Sequence, residues 1–361
     1  ILNLLPSNRN RLSMVMSLIK AFELDQYFKQ IQVKNTNKVE LCKFHDKDYI
    51  NFLLMERVDI DSDFDSLSDD DDDDDDSIIH DHELYDTDKK RLILKHYGLI
   101  YDSPLFPFLP EYVKILGGST LQCAKWIINK YKKNEKSQII GVNWIGGRHH
   151  GKKSKAAGFC YINDINLGII KLRTMFPKIV YIDFDLHYGD GVSQAFQFSQ
   201  NVLTISLHRF DGRFFYPGTG GLHEQGKGPG LEYMVNLPLN KGLNDESLLK
   251  LYNEIIEPTV KRYRPNIMVI QFGCDGHFSD EHKQWNLTYK GYGDVLEKLI
   301  ELKINMMVLG GGGYNNKSVS KCWTYLTAII AGKRLEADKD WDLIPDHEYI
   351  EEYEKDSFMF W

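Results

Sequence analysis

The sequence predicts an α/β fold in which a mostly parallel β-sheet is covered by helices on both faces. The chain has 361 residues, of which 42% are hydrophobic, so it can bury a large core as one domain or two smaller ones. From about residue 138 onwards, short apolar runs alternate with stretches of helical spacing, as in successive β–α units. The runs are continuously apolar, which is typical of parallel strands buried on both faces.

Each element is predicted from its local pattern. The apolar runs predict strands over residues 138–145, 178–185, 201–207, 266–273 and 304–311. Apolar residues at three- and four-residue spacing predict helices over residues 161–176, 191–199, 245–263, 289–302 and 318–332, the last ending at a C-capping glycine. Upstream, "NRLSMVMSLIKAFELDQYF" has helical spacing, and "PEYVKILGGSTLQCAKWIINKYKK" predicts one or two helices.

Residues 59–88 form an acidic insert between a first part, residues 1–58, and the remainder, residues 89–361. The insert holds 16 acidic residues and no lysine or arginine, so that removing it changes the formal net charge from −8 to +8. Because "SDDDDDDDDS" repels itself and buries nothing, we expect a disordered surface loop. A solvated low-complexity insertion is the favoured interpretation, and a contact for basic partners is the alternative.

Composition excludes several classes of protein. No apolar run reaches the roughly 18 residues that a membrane span needs, so we expect no membrane contact. The first eleven residues lack the charged and apolar segments of a secretory signal peptide. The cysteines are five in number, widely spaced and without a CxxC pair, which favours reduced thiols in a cytosolic or nuclear protein.

Chemically active side chains follow the predicted strands. These residues are His149 and His150 after the first strand, Asp185, His187 and Asp190 after the second, Asp275 after the fourth and Tyr314 after the fifth. Because parallel strands end at one edge of a sheet, we expect the side chains to converge there. Several buried unpaired charges in one place are costly unless a cation neutralises them.

The stretch "VYIDFDLHYGD" supplies most of a predicted metal site. Asp185 and His187, together with Asp275, offer two carboxylates and one imidazole. Three ligands with room for water or substrate are typical of catalytic Zn²⁺, although this donor set also tolerates Fe²⁺ or Co²⁺.

The tandem histidines complete a predicted hydrolytic site. His149 and His150 could act as base and acid, each oriented by a carboxylate, Asp183 or Asp190. Tyr314, on the glycine-rich loop "GGGGY", could donate its hydroxyl to the developing oxyanion. Together these residues predict metal-assisted hydrolysis of an amide.

Several blocks of the sequence resemble one known family. "NWIGGRHHGKKSKAAGFCYIND", "YIDFDLHYGDGVSQAF", "FFYPGTG", "QFGCDG" and "LGGGGYNNKSVSKCWTYLT" are similar to the signature blocks of class I zinc-dependent histone deacetylases, most of all the fungal HOS-type members. The resemblance implies the arginase/deacetylase fold, a single domain with an eight-stranded sheet. It also implies removal of acetyl groups from lysine in histones or other chromatin proteins such as a cohesin subunit, nuclear localisation with cytoplasmic presence also compatible, and roles as a transcriptional repressor and chromatin regulator.

The resemblance also implies further site residues. Gly158, Phe159 and Tyr216 would line the tunnel for the acetyl-lysine stem, Asp102 would bind the substrate backbone at the rim, and Arg11 would lie at the foot of the pocket. Two structural K⁺ sites are implied as well. The first would use Asp183, Asp185, His187, Ser206 and Leu207, and the second Phe196, Ser199, Val202 and Tyr233.

Four positions depart from the family pattern. Tyr188 stands beside the predicted ligand where the family has a second histidine, Tyr216 replaces a phenylalanine, and Arg148 replaces an apolar residue. Glu281 stands where corepressor-bound members carry an arginine for inositol phosphate, so we do not expect that contact. We expect no direct sequence-specific binding of nucleic acid.

Two other functions remain open at this point. An acetylpolyamine deacetylase or an arginase-like hydrolase could use the same fold, although arginase needs more metal ligands than this edge offers. A non-catalytic scaffold, with Tyr188 as a mark of decay, is the third candidate.

Overall fold

A parallel β-sheet lies at the centre of the molecule. The computed structural model describes residues 1–2, 5, 8–55, 90–134, 137–333 and 342–361. Within these residues the sheet has six strands in the order β1-β6-β5-β2-β3-β4, all neighbours being parallel. The strands are β1 (Ile140–Asn143), β2 (Ile179–Asp183), β3 (Val202–Arg209), β4 (Met234–Leu239), β5 (Ile267–Gln271) and β6 (Asn305–Leu309).

The implied eight-stranded sheet is wrong for the described residues, where β1 and β4 are the edges of six strands. All five strands predicted from apolar runs are present. Four of them have shorter bounds, whereas β3 starts at Val202 and extends past the predicted end to Arg209. The sixth, β4, was missed because Asn236 and Pro238 interrupt its apolar pattern. Proline lacks an N–H and is tolerated mainly at sheet edges, which is where β4 lies.

Helices cover the sheet on both faces. They are α1 (Arg11–Ala21), α2 (Lys38–Leu41), α3 (Lys47–Leu53), α4 (Leu109–Lys132), α5 (Asp164–Leu172), α6 (Asp190–Phe196), α7 (Asp245–Leu251), α8 (Glu257–Tyr263), α9 (Tyr289–Glu301) and α10 (Asn316–Ile330). The segment expected to form one or two helices is the single helix α4. A π-helical turn, Tyr252–Ile256, joins α7 to α8, so the helix predicted over 245–263 is continuous.

Strand β2 shows how the sheet divides the core. Val180 and Ile182, together with Phe184 and Leu186 beyond the strand, pack into the larger hydrophobic cluster. Ile179 and Tyr181 pack into the cluster on the opposite face. Burying both faces excludes water from the strand, so a polar side chain at its end must find a partner within the protein.

The first part of the chain packs against the remainder. Helix α1 lies on α10, and the ring of His45 in the first part accepts a hydrogen bond from the backbone N–H of Asn163 at 3.0 Å. The acidic insert, residues 59–88, lies outside the described residues, so its disorder and the proposed boundaries at 58 and 89 stay predictions. All five cysteines are free thiols. No helix in the described ranges has the length and apolar character needed to cross a membrane.

Candidate active site

The site lies where the order of the sheet reverses. From β2 the chain adds β3 and β4 on one side, then returns to place β5 and β6 on the other. Asp183 at the end of β2 is in register with Gln271 at the end of β5. The loops that follow these two strands therefore leave a crevice between them, which is the usual ligand position in open α/β sheets.

Three predicted metal ligands meet in this crevice. One ligand atom each from Asp185, His187 and Asp275 lies within 4.8 Å of the others, and all three residues are buried. His187 Nδ1 is 3.0 Å from Asp275 Oδ2 and 3.4 Å from Asp185 Oδ1. Burial disfavours the imidazolium, but the two carboxylates outweigh it and raise the pKa of His187 to about 10. Burial and the charge of Asp185 raise the pKa of Asp275 to about 6.

Neighbouring groups orient both carboxylates towards His187. Asp185 Oδ2 accepts hydrogen bonds from Gln271 Nε2 at 2.7 Å and from the Gly312 N–H at 2.8 Å. Asp275 Oδ1 accepts one from the Leu186 N–H at 2.9 Å. The other oxygen of each carboxylate lies near the imidazole, and Asp185 Oδ1 also accepts the His187 N–H at 3.0 Å. Two anchored carboxylates and one imidazole fit a divalent cation, which would replace the proton now shared among them.

A second group of possible ligands is less suitable. His149, Asp183 and Asp185 also bring ligand atoms within 4.8 Å of one another. However, His149 Nδ1 is hydrogen-bonded to Asp183 Oδ2 at 2.9 Å, and the Tyr181 hydroxyl donates to the same oxygen at 2.7 Å. A metal there would have to break this pair, so the set of Asp185, His187 and Asp275 is the better metal site.

The tandem histidines are oriented by different carboxylates, as predicted. His149 pairs with Asp183, and His150 Nδ1 is 2.9 Å from Asp190 Oδ1. Burial opposes a charge on His149, but Asp185 and Asp183 raise its pKa to about 9. Burial and the neighbouring charge of His149 lower the pKa of His150 to about 3. In the metal-free protein one imidazole is therefore charged and the other neutral.

Asp190 has a second partner that sequence reasoning did not identify. Lys152 Nζ pairs with Asp190 Oδ2 on the side away from His150. Burial disfavours the carboxylate, but His150 and Lys152 hold the pKa of Asp190 down at about 2. Asp190 therefore stays ionised and keeps the His150 ring fixed.

The glycine-rich loop brings Tyr314 to the cluster. A Cβ at Gly312 would lie 2.2 Å from Asp275 Oδ2 and 3.0 Å from Asp185 Oδ2, so only glycine allows this close approach. Arg11 donates to the Gly313 carbonyl at 2.8 Å, and Asp280 accepts the Tyr314 N–H at 2.8 Å. Burial and the charges of Asp275 and Asp185 hold the pKa of Tyr314 well above its usual value, so its hydroxyl keeps its proton.

The residues expected to line a tunnel lie beside the histidines. The ring of Tyr216 is 5.0 Å from that of His150, and Phe159 is 5.9 Å from Tyr314. Gly158 has φ +54°, and a Cβ there would lie 2.4 Å from the His150 ring. Asp102 accepts the Gly158 N–H at 2.9 Å, so this expected rim residue is attached directly to the tunnel wall.

Residues of the two expected K⁺ sites are neighbours along the sheet. Asp183 is in register with Ser206, whose hydroxyl is 3.0 Å from His208 Nδ1. Near the second site, the Tyr233 carbonyl accepts the Thr204 N–H at 3.1 Å, at the start of the β3–β4 pairing. Both cation sites stay predictions.

Sequence reasoning also missed His282 and Asp280. The His282 ring lies 5.0 Å from His187 and 4.9 Å from Tyr314. Asp280 Oδ1 is 2.9 Å from His282 Nδ1, while its other oxygen accepts the Tyr314 N–H. An Asp and a His two positions apart, soon after Asp275, were the available signal.

Tyr188 lies apart from this chemistry. It is buried, its ring is 4.6 Å from His208, and its hydroxyl is 3.5 Å from Met234 Sδ. The residue fills a space between β3 and β4 and contacts none of the three metal ligands by hydrogen bond.

Comparison with known proteins places the chain in one family. Residues 5–330 match the family described as "Histone deacetylase domain". The chain belongs to the histone deacetylase family. It is therefore a hydrolase of a metal-dependent family, and its acidic and histidine cluster could hold the metal.

Relatives from three organisms extend the match. "Histone deacetylase 8" of Xenopus tropicalis is 36% identical over 346 residues, covering 96% of this chain and 83% of that protein. "Histone deacetylase 8" of Danio rerio is 34% identical over 347 residues, covering 96% and 82%. "Type-1 histone deacetylase 1" of Dictyostelium discoideum is 33% identical over 348 residues, covering 96% and 62%. These relatives support class I, while the closer likeness to HOS-type members stays a prediction.

Proposed function

We propose that this histone deacetylase hydrolyses N6-acetyl-lysine in histones or other chromatin proteins, giving lysine and acetate. The observation that carries the proposal is the convergence of Asp185, His187 and Asp275 with two histidine–carboxylate pairs at one crevice. Membership of the family supports the same reaction.

Substrate binding is assigned to the wall beside the histidines. The acetyl-lysine stem would pass Gly158, Phe159 and Tyr216, since these residues surround the approach to His150. Asp102 would accept hydrogen bonds from the substrate backbone while it holds the Gly158 N–H. A positively charged histone tail also suits the carboxylates of this rim.

Asp185, His187 and Asp275 would hold a zinc ion, with iron(II) and cobalt(II) as further possibilities. When bound, the metal supplies Lewis-acid activation of the acetyl carbonyl and of the attacking water. Tyr314, which keeps its proton, would donate its hydroxyl to the carbonyl oxygen as negative charge develops there.

Proton transfer is assigned to the two imidazoles. His150, neutral and with Nδ1 directed at Asp190, is suited to accept a proton from water at Nε2. His149, whose charge Asp183 stabilises, is suited to donate a proton to the leaving amine. Burial excludes competing water from both rings.

The test is hydrolysis of acetyl-lysine peptides by metal-loaded protein. We expect His150→Ala and Tyr314→Phe to lower kcat by about a hundredfold or more. Tyr252→Phe, which removes a buried tyrosine hydroxyl elsewhere in the core, is the matched control and should retain activity. Wild-type protein that hydrolyses no acetyl-lysine peptide with Zn²⁺, Fe²⁺ or Co²⁺ would contradict the proposal.

The cellular context belongs to the same proposal. We infer a nuclear enzyme that acts on chromatin, without the inositol-phosphate contact, because the exposed Glu281 would repel that anion. Comparing the acetylated proteins of cells that carry wild-type or His150→Ala protein would identify the substrates. Acetylpolyamines that accumulate without any change in protein acetylation would instead favour the polyamine reaction.

A further inference from the structure

A second cavity lies behind the metal cluster. Arg11, Tyr112, Trp144 and Trp323 are among its lining residues, together with Arg148. Arg148 also lines the crevice that holds Asp185, His187 and Tyr314. The two cavities therefore share part of their walls, and Arg148 belongs to the shared part.

The guanidinium of Arg148 has no partner within the described residues. Its Nε is buried without a hydrogen bond, and neither an ion pair nor a side-chain hydrogen bond involves this arginine there. Only its backbone N–H is used, donating to Asp164 Oδ1 at 2.8 Å. Arg148 is half-buried, and its buried Nε–H lacks an acceptor that a ligand could supply.

Other groups in the same cavity are also donors. The buried Tyr112 hydroxyl has no hydrogen-bond partner in the described structure. Arg11 makes one hydrogen bond, to the Gly313 carbonyl, and its guanidinium lies 4.9 Å from the centre of the Trp323 ring. Burial, and after it the nearby charge of Arg148, lower the pKa of Arg11 to about 10.

No carboxylate lines this cavity in the described part of the chain. Asp164 favours the charge on Arg148, but its oxygens already accept hydrogen bonds from Thr120 Oγ1 at 2.5 Å and from the backbone of Gly147 and Arg148. Two arginines and a tyrosine whose hydroxyl has no partner in the described structure line this cavity, which suits an anion, and a carboxylate can accept from arginine at both oxygens.

In the substrate position proposed above, the acyl group would point towards this cation. The lysine stem would pass Gly158 and Phe159, and the acyl carbonyl would lie between the metal cluster and Tyr314. In a trans amide the acyl chain continues away from the stem, hence towards the wall formed by Arg148. We propose that Arg148 binds the terminal carboxylate of a longer acyl group, so that the enzyme also hydrolyses malonyl-, succinyl- or glutaryl-lysine; this inference rests on the proposed deacetylase function.

The reaction is the same hydrolysis with a different acyl group. The bond between the acyl carbon and lysine Nζ breaks, water supplies the oxygen that joins the acyl carbon, and a proton passes to Nζ. The products are lysine and a dicarboxylate, and no further reactant is needed. Arg148 would act as a specificity-determining residue that contacts the acyl chain and not the reacting bond.

The test compares charged and neutral acyl groups of equal length on one peptide, using metal-loaded full-length protein. The pairs are malonyl against butyryl and succinyl against pentanoyl, with acetyl as the reference. We expect wild-type kcat/KM to favour the charged member of at least one pair, and Arg148→Met to lower that ratio about tenfold or more, as for loss of a charge-assisted hydrogen bond. Arg148→Lys should retain part of the preference.

Controls separate this inference from the proposed function. Arg213→Met removes an exposed arginine and should leave the charged-to-neutral ratio unchanged. Binding of the same peptides, followed by fluorescence anisotropy in the Tyr314→Phe background, should show the same dependence on Arg148 without turnover.

Hydrolysis of acetyl-lysine without a preference for any charged acyl group would overturn the inference and leave the deacetylase function intact. Acetate inhibition that depends on Arg148, without charged-acyl turnover, would assign the cavity to the product instead. Failure on every acyl peptide would overturn both.

Discussion

Metal loading should release protons, because the ligands of the metal-free protein share one. His187 lies between Asp185 and Asp275, and its pKa is raised to about 10. At pH 7.5 the ring is therefore almost entirely protonated, whereas a metal ligand must be a neutral imidazole. Adding Zn²⁺ to the metal-free protein has to displace this proton.

The structure gives the size of the effect. The pKa of His187, about 10, lies more than two pH units above 7.5, so removing its proton costs about 3 kcal/mol, or a few hundredfold in apparent affinity. Between pH 6.5 and 8.0 the affinity for Zn²⁺ should rise by about thirtyfold if one proton leaves. A metal would neutralise Asp185, whose negative charge helps to raise the pKa of His149 to about 9. His149 would then release its proton as well, and the pH dependence of Zn²⁺ affinity would approach that of two protons.

Isothermal titration calorimetry in buffers of different ionisation enthalpy counts these protons. We expect between one and two to be released at pH 7.5. His187→Gln should weaken binding and remove one proton from the count. His45→Gln is the control, because burial lowers the pKa of His45 to about 4 and its ring is already neutral. A binding enthalpy that is the same in all buffers would refute the reasoning, since His187 would then be neutral before metal arrives.

Three further predictions concern stability and turnover. Tyr188→Ala should lower the free energy of unfolding by about 3–5 kcal/mol in urea titrations because it empties a buried aromatic site, whereas Tyr188→Phe should cost about 1 kcal/mol; equal and small losses would show that the site is not tightly packed. Between pH 7 and pH 5 the free energy of unfolding of the wild type should fall by about 2 kcal/mol more than that of His45→Gln. The reason is that His45 takes up a proton near pH 6.5 in the unfolded chain but only near pH 4 in the folded protein. Identical pH profiles of stability for the two proteins would contradict this. Removal of the metal with a chelator should abolish acetyl-lysine hydrolysis and Zn²⁺ should restore it, and activity that survives the chelator would argue against a metal at Asp185, His187 and Asp275.

Much of the site could be predicted because it follows from strand direction. Once β2 and β5 were identified as buried parallel strands, Asp185 and Asp275 had to lie at one edge of the sheet. His149 pairs with Asp183 and His150 with Asp190. Both pairs could be predicted if the loop after β1, which carries the histidines, reaches the end of β2 and the loop that follows it.

Other features depend on information that local patterns lack. Strand β4 was missed because an edge strand tolerates Pro238, which an apolar search reads as a break. His282 lies beside His187 because of the path that its loop takes, and the spacing of residues in the sequence does not specify that path. Arg148 was recognised as unusual, but its lack of a partner became visible only when its neighbours were in place.

The hydrogen bond from Arg11 to Gly313 joins positions 302 residues apart in the chain. During synthesis, helix α1 therefore has to wait until Gly313, 302 residues beyond Arg11, has been made before this bond can form. Strand β1 also has to wait for β6, its neighbour in the sheet, although Ile140 and its partner Met306 are closer to each other in the chain than Arg11 and Gly313 are. A ribosome-bound chain that ends before residue 313 lacks Tyr314, so the active centre is completed only after the loop that follows β6 has been made.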